Sequence, residues 1–284
     1  IAQVIPPSLT MVILAVISNV SIGALFIAGV LPGLMCIAML MVIAYFQARK
    51  GGAAYRETDP FTLERLGRTG WKALPAAGMP VLILGGILGG VFTPTEAAAI
   101  SGFYGLLVGL FVYRDLKISR LPGLILRTAS LSAAVMLIIG TASVFSWLIA
   151  NANVPRILGD WIASVSTSTL IFLIIANVLF LFVGMFLETI AAILIIVPVL
   201  SPIAAQMGVD PIHFSLLVIL NCAIGTVTPP YGVSLFVSSS VAGRSVLQVS
   251  RRLGWPLAGL FAMLLAVTFI PDLSLFLPRL FGLI

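Results

Sequence analysis

Long apolar runs divide the chain, covering Ser21–Phe46, Leu74–Phe92, Ala97–Tyr113, Ala129–Ala150, Leu170–Leu187, Ile190–Ala205, Phe214–Ile224, Val233–Val241 and Leu253–Ile270. A bilayer crossing by a helix takes about 20 apolar residues, and most of these runs approach that length. Phe214–Ile224 (11 residues) and Val233–Val241 (9 residues) are half-span pieces. They flank Gly225-Thr226-Val227-Thr228-Pro229-Pro230, where Pro-Pro removes two backbone donors and interrupts a helix. The pattern predicts an all-α polytopic membrane protein with at least one discontinuous helix.

Composition agrees: of 284 residues, 61% are hydrophobic and 8% charged. That excludes a soluble globule and a disordered chain alike. The net charge of +6 comes from basic connections, not from a basic helix face. Arg49 to Lys72 carries six basic residues against three acids, Arg114 to Arg127 four against one, and Arg244 to Arg252 three against none. An excess of Lys and Arg marks cytoplasmic loops, so the charge orients the helices and gives no reason to expect nucleic acid. With all three basic stretches inside, the crossings between any two of them must be even in number.

Parity constrains the segment from Ala129 to Arg244. Leu170–Leu187 and Ile190–Ala205 meet at Gly184-Met185-Phe186-Leu187-Glu188, with no flanking Lys or Arg. A re-entrant hairpin entering from outside needs none. The hairpin plus one discontinuous helix satisfies parity, and so would two full spans in place of the hairpin.

The break recurs at the start of the chain, where Val4-Ile5-Pro6-Pro7-Ser8 resembles Val227-Thr228-Pro229-Pro230-Tyr231 at an offset of 223 residues. Pro32 and Pro256 follow at 25 and 26 residues. The half-helix after Pro7 must exit outward and the one after Pro230 inward. The same unit therefore enters in opposite senses, as in the inverted repeats of secondary transporters. Unwinding at mid-membrane frees carbonyls that hydrocarbon cannot solvate, and carbonyls suit hard cations such as Na⁺. The expected organisation is the end of a first repeat over 1–46, a cytoplasmic connector with an amphipathic helix over 47–72, and a second repeat over 73–284. Within the last, scaffold helices occupy about 73–150, the hairpin about 168–205, the discontinuous helix about 213–243 and the last span 253–271. Repeats of similar size would put roughly 150 further residues before Ile1.

Individual residues refine this picture. Glu188 is a carboxylate deep in an apolar region, costing about 2.5–3.5 kcal/mol on insertion scales. It is expected either to coordinate a cation or to cap the second hairpin arm. Pro198 and Pro202 are expected to loosen or end that arm. Thr93-Pro94-Thr95-Glu96 reads as a capping box with proline in the first helical turn. Gly85, Gly86, Gly89 and Gly90 lack the Lys and Ser/Thr of a phosphate loop and point to close helix packing. Phe61–Lys72 reads as an interfacial cytoplasmic helix. Cys36 and Cys222 read as inert packing residues, and His213 as an interfacial residue. No paired intramembrane Asp, Ser/His or His-Glu-x-x-His group suggests an enzyme.

Four strings together resemble the large membrane subunit of the TRAP transporters, the tripartite ATP-independent periplasmic transporters of bacteria and archaea. They are Phe92-Thr93-Pro94-Thr95-Glu96-Ala97-Ala98-Ala99, Gly184-Met185-Phe186-Leu187-Glu188, Ile5-Pro6-Pro7-Ser8, and Asn221 to Phe236 with its Ile-Gly-x-x-Thr-Pro-Pro-x-Gly core. The resemblance implies an elevator-type carrier of the bacterial inner membrane, driven by Na⁺ as coupling ion and needing no other cofactor. It implies organic-acid substrates such as C4-dicarboxylates, keto acids or sugar acids. It also implies two partners, a small membrane subunit and a periplasmic substrate-binding protein. By motif, one Na⁺ site would involve Gly184, Glu188, Gly225, Thr228 and Tyr231, and the other Ile5 and Pro6. Ala2 stands where family members commonly have Gly. For an anionic substrate, half-helix N-termini supply positive potential, with Ser8, Thr10, Thr228, Ser234 and Ser238 as donors on the broken helices. The alternative is a cation-coupled anion transporter of related broken-helix architecture that works without a binding protein.

Overall fold

The computed structural model describes residues 2–50, 62–153, 157 and 168–284. It contains twelve α-helices and no strand among the described residues. In order they are α1 (Leu9–Ile17), α2 (Ile22–Lys50), α3 (Leu63–Leu88), α4 (Pro94–Leu107), α5 (Leu121–Asn151) and α6 (Thr169–Phe186). Then come α7 (Thr189–Gln206), α8 (Pro211–Gly225), α9 (Val233–Ala242), α10 (Val246–Arg252), α11 (Gly254–Phe269) and α12 (Asp272–Leu280). Six helical stretches among the described residues are long and apolar enough to cross a membrane, and the α10–α11 pair bends by 60° at its break. The chain is an all-α polytopic membrane protein.

Caps explain where many helices begin. Ser8 starts α1 by accepting from the Met11 amide at 3.4 Å. Thr93 and Glu96 form the expected box before α4: the Thr93 amide donates to Glu96 Oε2 at 2.8 Å and the Glu96 amide to Thr93 Oγ1 at 3.3 Å. Asp210 Oδ1 accepts from the Ile212 and His213 amides at 2.8 and 3.2 Å, with Pro211 already suited to the first turn. Ser245 and Gln248 form a second capping box, which folds most of the basic stretch Arg244–Arg252 into α10 instead of a loop. At the end of α9, Gly243 adopts φ +59, a left-handed conformation that glycine enters without a Cβ penalty.

Several segments differ from the pattern-based expectation. The described part of the stretch Phe61–Lys72 is the start of α3, continuous with the apolar run that follows and not a helix of its own; Phe61 itself lies outside the described residues. Pro75 lies inside α3, and tyrosines from the following helical segment serve the backbone around it. Tyr113 hydroxyl donates to the Lys72 carbonyl at 2.7 Å and accepts from the Ala76 amide at 3.2 Å, while Tyr104 donates to the Pro75 carbonyl at 2.7 Å. A side chain inserted there satisfies groups that a helical proline disturbs. Pro198 and Pro202 do not end the second hairpin arm, since α7 continues to Gln206. The glycine cluster divides: Gly85 and Gly86 lie in α3, with Gly86 packed closely beneath Phe92, while Gly89 caps the helix and Gly90 turns the chain with φ +67. Helix α12 lies beyond the last long apolar run, because Asp272, Ser274 and Arg279 interrupt its hydrophobic residues.

Two compact units emerge, one of Ile1–Tyr45 with Ile138–Ile284 and one of Phe46–Leu137. In the second, α3 packs on α4. In the first, α8 is central: it packs against α1, α6, α7, α11 and α12 and is buried on nearly every face. A helix apolar all round belongs in such a place. His213 is accordingly a core residue, 2% exposed and not interfacial, with Nδ1 2.7 Å from Ser274 Oγ of α12. Cys36 and Cys222 are both buried and unpaired by any disulfide.

Candidate functional site

Three chain interruptions meet within the larger unit: the turn Leu187–Glu188 between α6 and α7, the break Thr226–Gly232 between α8 and α9, and the segment before α1. Their meeting depends first on how α6 and α8 run. Phe172 stacks on Phe214 at 6.1 Å between ring centroids. Farther along both helices Asn221 Nδ2 donates to Asn177 Oδ1 at 2.7 Å. Gly184 then faces Gly225. Residue numbers rise together, so the helices are parallel and end side by side.

At that shared end the backbones nearly touch. A Cβ on Gly225 would lie 2.7 Å from the carbonyl carbon of Gly184 and 2.9 Å from its Cα. One on Gly184 would come within 3.2 Å of Cys222 Cα. Only paired glycines allow this approach. Phe186 and Tyr231 close the same end from the two chain segments, with ring centroids 5.1 Å apart.

The break itself is compact. Gly232 donates its amide to the Thr228 carbonyl at 3.1 Å, and the Ser234 amide donates to the Thr226 carbonyl at 2.9 Å. Any Cβ on Gly232 would strike the Thr226 carbonyl oxygen. Thr228 Oγ1 donates to the Ile224 carbonyl at 2.7 Å, which leaves its lone pairs for another partner. The carbonyls of Val227, Pro229 and Pro230 accept no hydrogen bond from the described residues. The Pro229–Pro230 and Pro6–Pro7 peptide bonds are both cis.

Glu188 caps α7. Its Oε2 accepts from the Ile190 amide at 2.9 Å and the Ala191 amide at 3.3 Å. The anion therefore sits on a helix N-terminus, where the unpaired amides and the dipole favour negative charge.

The first break reaches the same turn through one side chain. Gln3 Nε2 donates to Thr189 Oγ1, the first residue of α7, at 3.1 Å. Ser8 Oγ donates to the Gln3 carbonyl at 2.8 Å as it caps α1. Ile5 lies against Gly33 of α2, and the Val4 carbonyl against Gly29, where a Cβ would collide. Pro6 is buried.

The structure thus brings Gly184, Gly225, Thr228 and Tyr231 together, with Glu188 on the adjoining turn. Ile5 and Pro6 lie at the other break. Ser8 and Thr10 are buried, and the Ser8 hydroxyl is engaged by its own segment. Ser234 is exposed at the start of α9, and Ser238 donates back to the Ser234 carbonyl at 2.7 Å. The apolar pattern gives no sign of Gln3, Thr189 or Phe186, and little of the Asn177–Asn221 pair. A lone amide such as Asn177 in an apolar run is the one signal it holds, because polar groups at membrane depth find partners. Among the described residues no three His, Cys, Asp or Glu side chains group as a metal site.

Comparison with known proteins matches this chain to one family. A family model described as "Tripartite ATP-independent periplasmic transporter, DctM component" covers residues 1–273. The chain is 40% identical to the sialic acid TRAP transporter large permease protein SiaM of Vibrio cholerae, over 99% of this chain and 65% of that protein. It is 39% identical to the C4-dicarboxylate TRAP transporter large permease protein DctM of Pseudomonas aeruginosa, over 98% of this chain and 65% of that one. Against the isethionate TRAP transporter permease protein DctMQ of Oleidesulfovibrio alaskensis it is 38% identical, over 97% of this chain and 43% of the relative. The chain spans just under two-thirds of the length of the large permeases it matches. From its membrane architecture and this match along nearly all its length, the chain belongs to the DctM component family of the tripartite ATP-independent periplasmic transporters.

Proposed function

We propose that this chain forms the greater part of the large membrane subunit of a Na⁺-coupled TRAP transporter that takes up organic acids across a bacterial inner membrane. The observation that carries the reading is the convergence of the hairpin turn and the helix break, with Gly184 against Gly225 and Phe186 against Tyr231. At that junction the Val227, Pro229 and Pro230 carbonyls and the Thr228 hydroxyl offer lone pairs. Oxygen donors suit a hard monovalent cation such as Na⁺. Gly184, Gly225, Thr228 and Tyr231 shape this cation site, with Glu188 adding negative charge nearby. Ile5 and Pro6 shape a second one at the first break.

A bound cation also answers a substrate problem. The relatives' names give a sialic acid and a C4-dicarboxylate, both carboxylates at neutral pH. Helix N-termini at the breaks and bound Na⁺ supply the countercharge, with the Thr10 and Ser234 hydroxyls as further donors, since the Ser8 and Thr228 protons go to the Gln3 and Ile224 carbonyls. The re-entrant form of the α6–α7 hairpin is supported by its turn lying level with a break between two half-span helices. The opposite-sense copy at Pro6–Pro7 supports an inverted repeat and elevator-type movement. The family's description as tripartite and periplasmic supports a small membrane subunit and a periplasmic binding protein as partners. Reconstitution of the full-length protein with both partners in proteoliposomes tests the reading. Labelled dicarboxylate or sugar acid should accumulate only with an inward Na⁺ gradient. Equal uptake in choline would overturn the coupling, and uptake by the membrane subunits alone would overturn the need for a binding protein.

A further inference from the structure

The seam between α6 and α8 carries one polar contact in an otherwise apolar face. Buried α6 residues Leu173, Ala176, Asn177, Phe180 and Gly184 recur at helical spacing, and Asn177 meets Asn221 of α8. The two asparagines are 6% and 1% exposed. Asn221 Nδ2 also donates to the Leu217 carbonyl at 2.7 Å. Asn177 Nδ2 donates to Thr268 Oγ1 of α11 at 2.8 Å, and Thr268 passes its own proton to the Leu264 carbonyl at 2.7 Å. Because the Thr268 hydroxyl proton is committed, its oxygen must accept. That turns the Asn177 amide so its oxygen faces Asn221.

This ladder is a costly way to hold helices together. Asn221 Oδ1 is buried without a partner among the described residues, and an unpaired buried acceptor is destabilising. Its value lies elsewhere. Parallel apolar faces of Leu, Ala and Phe tolerate sliding by a helical turn, whereas one buried polar pair fits only one register. A slip here would leave both amides in apolar surroundings. The same register sets Gly184 against Gly225 and Phe186 against Tyr231.

We propose that Asn177 and Asn221, oriented by Thr268, are positioning residues that fix the register of the hairpin arm on the broken helix and so align the turn with the break. The amides touch neither cation nor substrate; they act through the glycine contact at the end of the seam. Only the sodium arm of the test rests on the proposed coupling.

The test replaces both amides with leucine in the full-length protein, in a background carrying Cys36→Ser and Cys222→Ala. Register is read by oxidative cross-linking of Phe186→Cys with Tyr231→Cys, and of Phe182→Cys with Tyr231→Cys, one turn earlier. With both asparagines present, the 186–231 pair should dominate. In Asn177→Leu/Asn221→Leu it should fall about fivefold while the 182–231 pair rises, with thermal stability held or raised. In uptake, the Na⁺ concentration for half-maximal rate should rise by a similar factor, with little change in maximal rate. Unchanged cross-linking would overturn the proposal. Loss of both cross-links together with a lower melting temperature would also overturn it, as it would mark a purely structural pair. Should the double variant not accumulate, Thr268→Val keeps both amides and removes their orientation. It should shift the same cross-link ratio in the same direction, and an unchanged ratio is the refuting result. Na⁺-independent uptake by the parent protein would refute the coupling while leaving the cross-linking outcome to decide the register.

Discussion

Gly184 and Gly225 meet across the α6–α8 seam so closely that a Cβ on Gly225 would sit 2.7 Å from the Gly184 carbonyl carbon. Two helices at ordinary separation are about 8–10 Å apart on their axes, and small residues permit a closer crossing. This crossing lies where the hairpin turns and the broken helix unwinds. The two discontinuities therefore share one place in the unit.

Gly225→Ala should force these backbones apart, costing about 1–3 kcal/mol, the usual scale of overpacking. Gly184→Ala meets its nearest neighbour at 3.2 Å and should cost less. Thermal unfolding in detergent should rank the parent first, then Gly184→Ala, then Gly225→Ala. A reversed order would contradict the packing described.

Thr228 donates its proton to the Ile224 carbonyl and keeps its lone pairs outward. Thr228→Ala removes the proposed ligand oxygen and about 1 kcal/mol of hydrogen bonding, whereas Thr228→Ser retains both. Uptake by the alanine variant should need several-fold more Na⁺ for half-maximal rate, on the scale of a charge-assisted contact. The serine variant should follow the parent curve, as measured by Na⁺ titration of initial uptake rates.

Glu188 has one observed role, the cap of α7, and one proposed role, negative charge beside the cation. Glu188→Gln keeps an oxygen for the Ile190 and Ala191 amides, so melting should move little. Glu188→Ala loses the cap and should cost about 1 kcal/mol. Both variants should raise the Na⁺ requirement if the charge assists the cation. A Gln variant with an unaltered Na⁺ curve would reduce Glu188 to a cap.

The capping box at α4 offers a contrast far from that chemistry in the chain. Thr93→Ala should destabilise by about 1 kcal/mol, Glu96→Ala should destabilise in the same direction, and the double variant should lose less than the sum of the two, because both break one reciprocal pair. The apparent Na⁺ affinity should stay at the parent value in all three, measured beside their melting curves.

Much of the fold was legible because a bilayer leaves few options. Apolar runs located the helical cores, and the Thr93–Glu96 box marked the start of α4. Helix α10 was hidden because its Ser245–Gln248 box lies in a basic stretch, and α12 because its apolar face is short. Pro198 and Pro202, expected to loosen or end the arm, lie inside α7, which runs on to Gln206. Proline tolerance inside a helix depends on what surrounds the freed carbonyls, and spacing alone does not report that.

The sequence by itself determined the membrane class, the discontinuity at Thr228-Pro229-Pro230 and the polar or glycine residues flanking it. Hydrophobic length and missing backbone donors are local properties, readable residue by residue. Tertiary structure alone decided that Gly184 lies on Gly225, that Phe186 closes on Tyr231 and that Gln3 reaches Thr189 across 186 residues of chain. The first two contacts depend on the register of α6 along α8. That register is a relation between helices, carried here by buried Asn177 and Asn221, and neither helix encodes it alone.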